Sequence, residues 1–553
     1  MMRYTRHQYH YAVRYCKKNG VKIKATRMAE ALANNHTRDF WTETKKINCP
    51  QKGVPMTVDD VNEPAGIAEL FYNKFKLLYS SVAFDALKMD EFIQSLSSDV
   101  SWDYHKLNDC GSIVKTNDVI KLVKKLKAGK SDGNKGLSSD CIIHGTQRLF
   151  VLLSMFYNAV LIHGHVPSGI LLGTMTPIPK SNGVTHSSDK YRAITLSCVI
   201  GKILDLIILS KEGLQSLTTD TLQFAFKEKY STTLCTGVLQ QCASYFINGG
   251  SHVYALLLDV SKAFDRVEYV KLFTTLKKRG TNSIILRCLA HMYTNQNLRV
   301  SWNGYISDNF IAKNGVKQGR VLSPLLFGVY MDGLLSKLRS SSYGCNVGPY
   351  FLGTLGYADD LCLLSPTLTG LEDMVEICTS YAEEHSILFN GAKSHLIRFC
   401  QIKQCNFCHK TANEIQLCGS MVKIEESATH LGYEVHKNLK DDLDSVYRSF
   451  YKQYNMFRTR FSGVHSSVKN ELFHSYCSSL YGIQICDIAK AEKIRIAWRK
   501  CLRDVWHLPY RTHCCMLPAL SGTICSKYIL LKSFVKFACN ALQHSAGDIQ
   551  FLY

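Results

Sequence analysis

Residues 352–364 read LGTLGYADDLCLL, an apolar run broken by the tetrapeptide Tyr357-Ala358-Asp359-Asp360. Strand, tight polar turn and second strand make a hairpin that carries two acids at its tip. Alternation of apolar and polar residues is poor, so both strands are expected to be largely buried. Two carboxylates at such a junction repel each other unless a cation compensates. Mg2+ suits the place, because it takes hard oxygen ligands and bridges to phosphates. Taken alone, an Asp-Asp pair reads more readily as a solvated turn, so its surroundings decide.

Upstream, residues 254–265 read YALLLDVSKAFD. The leading apolar part is a predicted buried strand ending on Asp259, after which Ser261 to Lys278 takes up helical spacing at Val267, Val270, Leu272, Phe273 and Leu276. Two-metal phosphoryl transfer places ions roughly 3.5 to 4 Å apart and takes at least two carboxylates from converging strands. Asp259, Asp359 and Asp360 supply that set, and the Val260 carbonyl offers a further oxygen.

Around these acids stands an ordered series of segments. It runs through Lys130-Ser131-Asp132-Gly133, Thr176-Pro177-Ile178-Pro179-Lys180, Tyr191-Arg192-Ala193-Ile194-Thr195-Leu196 and Phe224-Ala225-Phe226. Beyond Asp259 it continues with Gly315-Val316-Lys317-Gln318-Gly319, Leu322-Ser323-Pro324-Leu325-Leu326-Phe327, the Asp-Asp tetrapeptide, Phe389-Asn390 through Lys393-Ser394, and His430-Leu431-Gly432-Tyr433. This series, spanning residues 115–435, resembles the reverse transcriptases, most closely those of non-LTR (LINE-type) retrotransposons. The resemblance implies an α+β right-hand polymerase: fingers, a palm with an antiparallel sheet, a helical thumb, and helical N- and C-terminal extensions. It further implies an RNA-directed DNA polymerase that uses two Mg2+ ions, with Mn2+ as a substitute, and acts on template RNA, primer DNA and dNTPs.

A primer 3'-hydroxyl is the nucleophile in that chemistry, so catalysis is positioning and charge stabilisation and needs no protein nucleophile. The resemblance makes Phe264 the aromatic gate against a ribose 2'-hydroxyl; the other reading is a core ring on the following helix. Gln318 and Gly319 fall in a loop that packs against the incoming nucleotide and template base. Ser323 reads as an N-cap and Pro324 as the first residue of a helix from Leu325 to Leu338. Arg192 takes the family's triphosphate contact, for which a planar guanidinium fork fits phosphate oxygens. Lys180 is either a helper there or a partner in a surface salt bridge. Lys393, following an Asn-Gly turn, falls beside the leaving pyrophosphate or is merely solvated.

Lys and Arg number 66 against 45 Asp and Glu, a formal charge of +21 that suits an acidic polymer and also an anionic membrane surface. No run of eighteen apolar residues occurs, the nearest being Leu149 to Ile162, and MMRYTRHQYHYAVRY has no secretory features. A soluble intracellular chain without a membrane partner is the expectation, with a nuclear site of work implied by the family. The 22 cysteines have no secreted-scaffold spacing. Cys400, Cys405, Cys408, His409 and Cys418 form the one zinc-like cluster, but His409 abuts Cys408, so a closed tetrahedral site is awkward.

Residues 1–60 read as a basic, aromatic-interleaved helical arm of two helices, and 61–114 as a connector with loose helical content. Residues 115–435 read as fingers and palm, and 436–553 as a helical thumb and C-terminal region with helices near 446–461, 469–481 and 489–505. Two departures from the family pattern stand out. Ala193 occupies a common proline position, and Arg320-Val321 replaces a usual Cys and Pro, placing a cation beside the expected nucleotide pocket. LINE-type elements usually carry an endonuclease ahead of the polymerase, and this chain reads as beginning after it. The alternative function is a catalytically degenerate nucleic-acid-binding remnant.

Overall fold

The computed structural model describes residues 2–48, 55, 57–98, 113–131, 136–180, 185–211, 214, 217–400, 414–544 and 547–550. Asp132, Gly133, Cys405, Cys408, His409 and the terminal Phe551-Leu552-Tyr553 lie outside them. The chain forms two compact units, neither continuous in sequence: 53–235 with 245–425, and 1–52 with 236–244 and 426–553.

In the larger unit the Asp-Asp hairpin, Thr354–Tyr357 and Asp360–Ser365, joins a six-stranded sheet. Its neighbours are, in order, Val253–Leu258, His395–Phe399, Ser420–Glu425 and Glu414–Leu417. Pairing is antiparallel except between His395–Phe399 and Ser420–Glu425. Every residue of Val253–Leu258 is buried, as a continuous apolar run requires of a strand covered on both faces. Tyr254, Leu256 and Leu258 share a core with Leu361, Leu363 and Leu396 and with the helices Ser323–Ser340 and Leu368–Glu384. Burial of each leucine side chain contributes about 1.5–3 kcal/mol to holding this platform.

A second sheet begins with the hairpin Leu172–Pro179 and Tyr191–Ser197 and continues through Asn297–Trp302. Parallel pairing with Asn297–Trp302 ends at Met175, so Pro177 and Pro179 sit where the strand has one neighbour and a missing N–H is tolerated. Ahead of these strands in sequence, the helix Pro64–Leu78 packs Phe71 against Tyr191 and Trp302, with ring centroids 5.1 and 5.3 Å away.

Helical spacing after Ser261 does not yield one helix. Lys262 is left-handed (φ 53), Ala263–Arg266 is a 3-10 turn, and the α-helix starts only at Tyr269. The reason is tertiary: the Phe264 carbonyl accepts from Val316 N–H at 2.7 Å and the Val267 carbonyl from Gly315 N–H at 2.8 Å. Ser323 is likewise not a cap. Its hydroxyl donates to the Lys317 carbonyl at 2.6 Å, and Leu322 occupies the cap position.

The smaller unit holds three N-terminal helices where two were expected: Met2–Lys18, Gly20–Ala33 and Thr37–Asn48. The later helices are Leu443–Arg460, Ser466–Cys477, Glu492–Val505 and Ser526–Leu542. Val446, Phe450, Tyr454 and Phe457 recur at helical spacing and are buried against Phe473 and Trp498. Among the described residues, no helix is long and apolar enough to cross a membrane.

Candidate active site

Sheet register assembles the three acids. Leu361 pairs with Leu258, so the next residues outward, Asp360 and Asp259, stand side by side at the ends of neighbouring strands. On the other side His395 pairs with Leu257, which carries Lys393 next to Asp259, Nζ to Oδ2 3.9 Å. Asp259 N–H also donates to Ser394 Oγ at 3.3 Å. Val260 bridges to Phe389 through its neighbours' bonds, Asn390 N–H to the Asp259 carbonyl (2.9 Å) and Ser261 N–H to the Leu388 carbonyl (2.8 Å). The Val260 carbonyl takes no part in that bridge.

The carboxylates are half-buried and feel one another. Burial, then the charges of Asp359 and Asp259, pushes the Asp360 carboxyl up to about 6. Asp359 is also raised, by burial and Asp259, with Arg192 pulling the other way. Such a cluster favours protonation until a cation arrives, so its donor set fits divalent ions.

Lys393 beside Asp259 and Arg192, whose charge reaches Asp359, belong to a set of cations around the acids that also includes Lys180. Burial and then the like charges of Lys393 and Arg192 lower the Lys180 ammonium below its ordinary value. Its Nζ donates to the Asp189 carbonyl at 2.9 Å. Asp189 itself pairs with Lys74 at 2.6 Å, and its charge also pulls on Lys180 against the two cations. Three cations that repel one another make a receptor for a multiply charged anion.

Phe264 lies flat on buried Phe327, centroids 4.4 Å apart, and meets the 62% exposed Phe226 edge-on at 6.5 Å. Beside it, buried Asp265 accepts from Tyr79 Oη at 2.8 Å and from Gln318 Nε2 at 3.2 Å. Burial pushes the Asp265 carboxyl up to about 6. An ionised Asp265 can only accept, so it turns the Gln318 amino group inward and leaves the amide oxygen outward. Gly319, exposed at φ 103, has backbone that other residues rarely adopt.

Two further residues support this geometry: Gln223, which carried no motif signal, and Asp265, which closes the quoted segment 254–265. Gln223, 3% exposed, accepts from Ala358 N–H at 2.9 Å and holds the left-handed turn (φ 57) that carries Asp359. Asp265 ties Phe264 to Gln318. Arg320, next to Gly319, turns inward and pairs with buried Asp205, Nε to Oδ2 3.0 Å. Of the zinc-like stretch, Cys400 is half-buried and Cys418 exposed. Among the described residues, Glu434, His436 and Asp442 also converge within 4.8 Å, but Asp442 caps a helix through Ser445 N–H and Glu434 accepts from Ser427.

Residues 178–435 match the family described as reverse transcriptase (RNA-dependent DNA polymerase). The Pol polyprotein of the type-2 retrotransposable element R2DM of Drosophila melanogaster is 30% identical over 43% of this chain and 22% of its own length. The RNA-directed DNA polymerase of the mobile element jockey, also from Drosophila melanogaster, is 22% identical over 72% of this chain and 44% of its own length. The chain thus spans less than half the length of these curated relatives. A telomerase from Candida tropicalis, solved with a fragment of telomeric RNA, aligns at TM-score 0.34 and 13% identity over 74% of this chain and 68% of that one. Residues 178–435 thus match the reverse transcriptase family, and the chain is similar to the polymerases of non-LTR retrotransposons.

Proposed function

We propose that the chain is an RNA-directed DNA polymerase of a LINE-type retroelement, joining dNTPs to a primer 3'-hydroxyl on an RNA template. The observation that carries this reading is the set Asp259, Asp359 and Asp360 on adjoining strands, with the cations Lys180, Arg192 and Lys393 around them. In this reading the cations receive the triphosphate and then the leaving pyrophosphate. Phe264 stands at the sugar, and the Gln318-Gly319 loop lies against the base pair. The three aspartates, with the Val260 carbonyl, would hold two Mg2+ or Mn2+ ions, which when bound supply charge neutralisation for the in-line displacement. Fingers and palm fall within 115–435 and the thumb after 436, and the formal charge of +21 supports salt-dependent binding of a nucleic-acid strand. Primer extension with dNTPs and Mg2+ on an RNA template tests the reading. Templated synthesis is expected; binding without synthesis would reduce the chain to a nucleic-acid-binding remnant.

A further inference from the structure

The helix Ser526–Leu542 of the smaller unit is apolar on two faces, and the unit covers one of them. On the covered side Ser526, Ile529 and Leu530 meet Leu480, Ile494 and Trp498. The other side carries Tyr528, Leu531, Val535, Ala538 and Leu542, spaced alternately three and four residues apart. Ala538 is half-buried, but the four large side chains are 43–61% exposed. Three-four spacing keeps such residues in line along about four helical turns, which is the pattern of a seam that receives a second helix. A continuous apolar stripe on the surface marks an interaction site.

The residues beside the stripe select the partner. Helical geometry sets Lys527 on one side of it and Lys532 and Lys536 on the other; all three are exposed, and the helix contains no Asp or Glu. Charges flanking a seam decide which helix can pair with it and in which orientation. Parallel pairing with a second copy of this chain would set Lys527 against Lys532, like charge on like. A nucleic-acid strand is served less well, because Leu531, Val535 and Leu542 offer no ring on which a base could stack. An acidic helix satisfies both the stripe and its flanks.

We propose that this face docks an amphipathic helix of another protein, with apolar residues at the same three-four spacing and Asp or Glu on both flanks. Leu531 and Val535 form the centre of the contact, and carboxylates of the partner reach Lys527 and Lys532. The inference stands independently of the polymerase reading.

The test is fluorescence anisotropy of the full chain with three labelled peptides. One has Leu at the seam positions and Glu on the flanks, one has the same seam with Lys on the flanks, and one is a scramble of the Glu-flanked peptide. Since the chain carries a formal charge of +21, the scramble measures attraction by charge alone. The Glu-flanked peptide is expected to bind at least about tenfold more tightly than either of the others. Val535→Asp should remove that margin, whereas Lys527→Glu combined with Lys532→Glu should transfer the preference to the Lys-flanked peptide. All three positions are exposed, so circular dichroism should be unchanged. Equal binding of the Glu-flanked peptide and its scramble overturns the proposal. Dimers of the unmutated chain that Val535→Asp abolishes also overturn it, in favour of a second copy. RNA affinity that falls in Val535→Asp, with no preference among the peptides, overturns it in favour of a nucleic-acid surface.

Discussion

Gln223 grips the turn of the Asp-Asp hairpin: its Oε1 accepts the Ala358 N–H at 2.9 Å and the Ala225 N–H at 3.2 Å. Ala358 is held left-handed at φ 57, a conformation that costs a non-glycine residue about 1–2 kcal/mol. Removing the acceptor also leaves the buried Ala225 N–H unmet, about 1–3 kcal/mol, and the half-buried Ala358 N–H without its partner. Gln223→Ala is expected to cut primer extension at least about tenfold while the chain still folds. Adding Ala358→Gly, which takes φ 57 without strain, should recover part of the loss. Unchanged extension in Gln223→Ala would show that the turn needs no clamp.

Asp265 sets a pH dependence of stability. Its folded-state value, pushed up to about 6 by burial, lies above the unfolded value of 3.8. Its contribution is therefore full below pH 3.8 and is lost as pH rises through about 6, an effect of about 3 kcal/mol. Asp265→Asn has no such loss. The melting temperature of the variant minus that of the unmutated chain should rise between pH 4 and pH 7; a flat or falling difference would contradict the assignment.

Lys180 and Arg192 should act on nucleotide and pyrophosphate together. Substituting either by Ala is expected to lower kcat/KM for dNTP by about 10- to 100-fold, and Arg192→Lys should not restore it, since an ammonium lacks the planar fork. Steady-state kinetics on a fixed primer–template reads this out, with pyrophosphate inhibition weakened in parallel.

Phe264 stacks on Phe327, so shortening it opens space without disturbing the acids. Phe264→Val is expected to raise ribonucleotide incorporation relative to deoxynucleotide by about 10- to 200-fold, the range a steric pocket can discriminate. Equal discrimination in variant and unmutated chain would place Phe264 in the core only.

What the sequence disclosed was local. The Asp-Asp hairpin and the strand ending on Asp259 were legible because strand, turn and apolar run lie within a few residues of one another. Gln223 was not, because its partner Ala358 is 135 residues away and a buried glutamine has no periodic signature. Helical spacing after Ser261 misled for a related reason: backbone bonds to Gly315 and Val316 override it. The Arg320 ion pair was not legible either, since nothing near it in sequence announces the buried Asp205 that draws it inward.

The central claim is that Asp259, Asp359 and Asp360 perform metal-assisted synthesis on an RNA template. It is tested most directly by measuring primer extension and template-RNA binding side by side in the unmutated chain and in Asp359→Asn. The account predicts synthesis in the first, none in the second, and RNA affinity unchanged within about twofold at equal salt. Synthesis that persists in Asp359→Asn would contradict it.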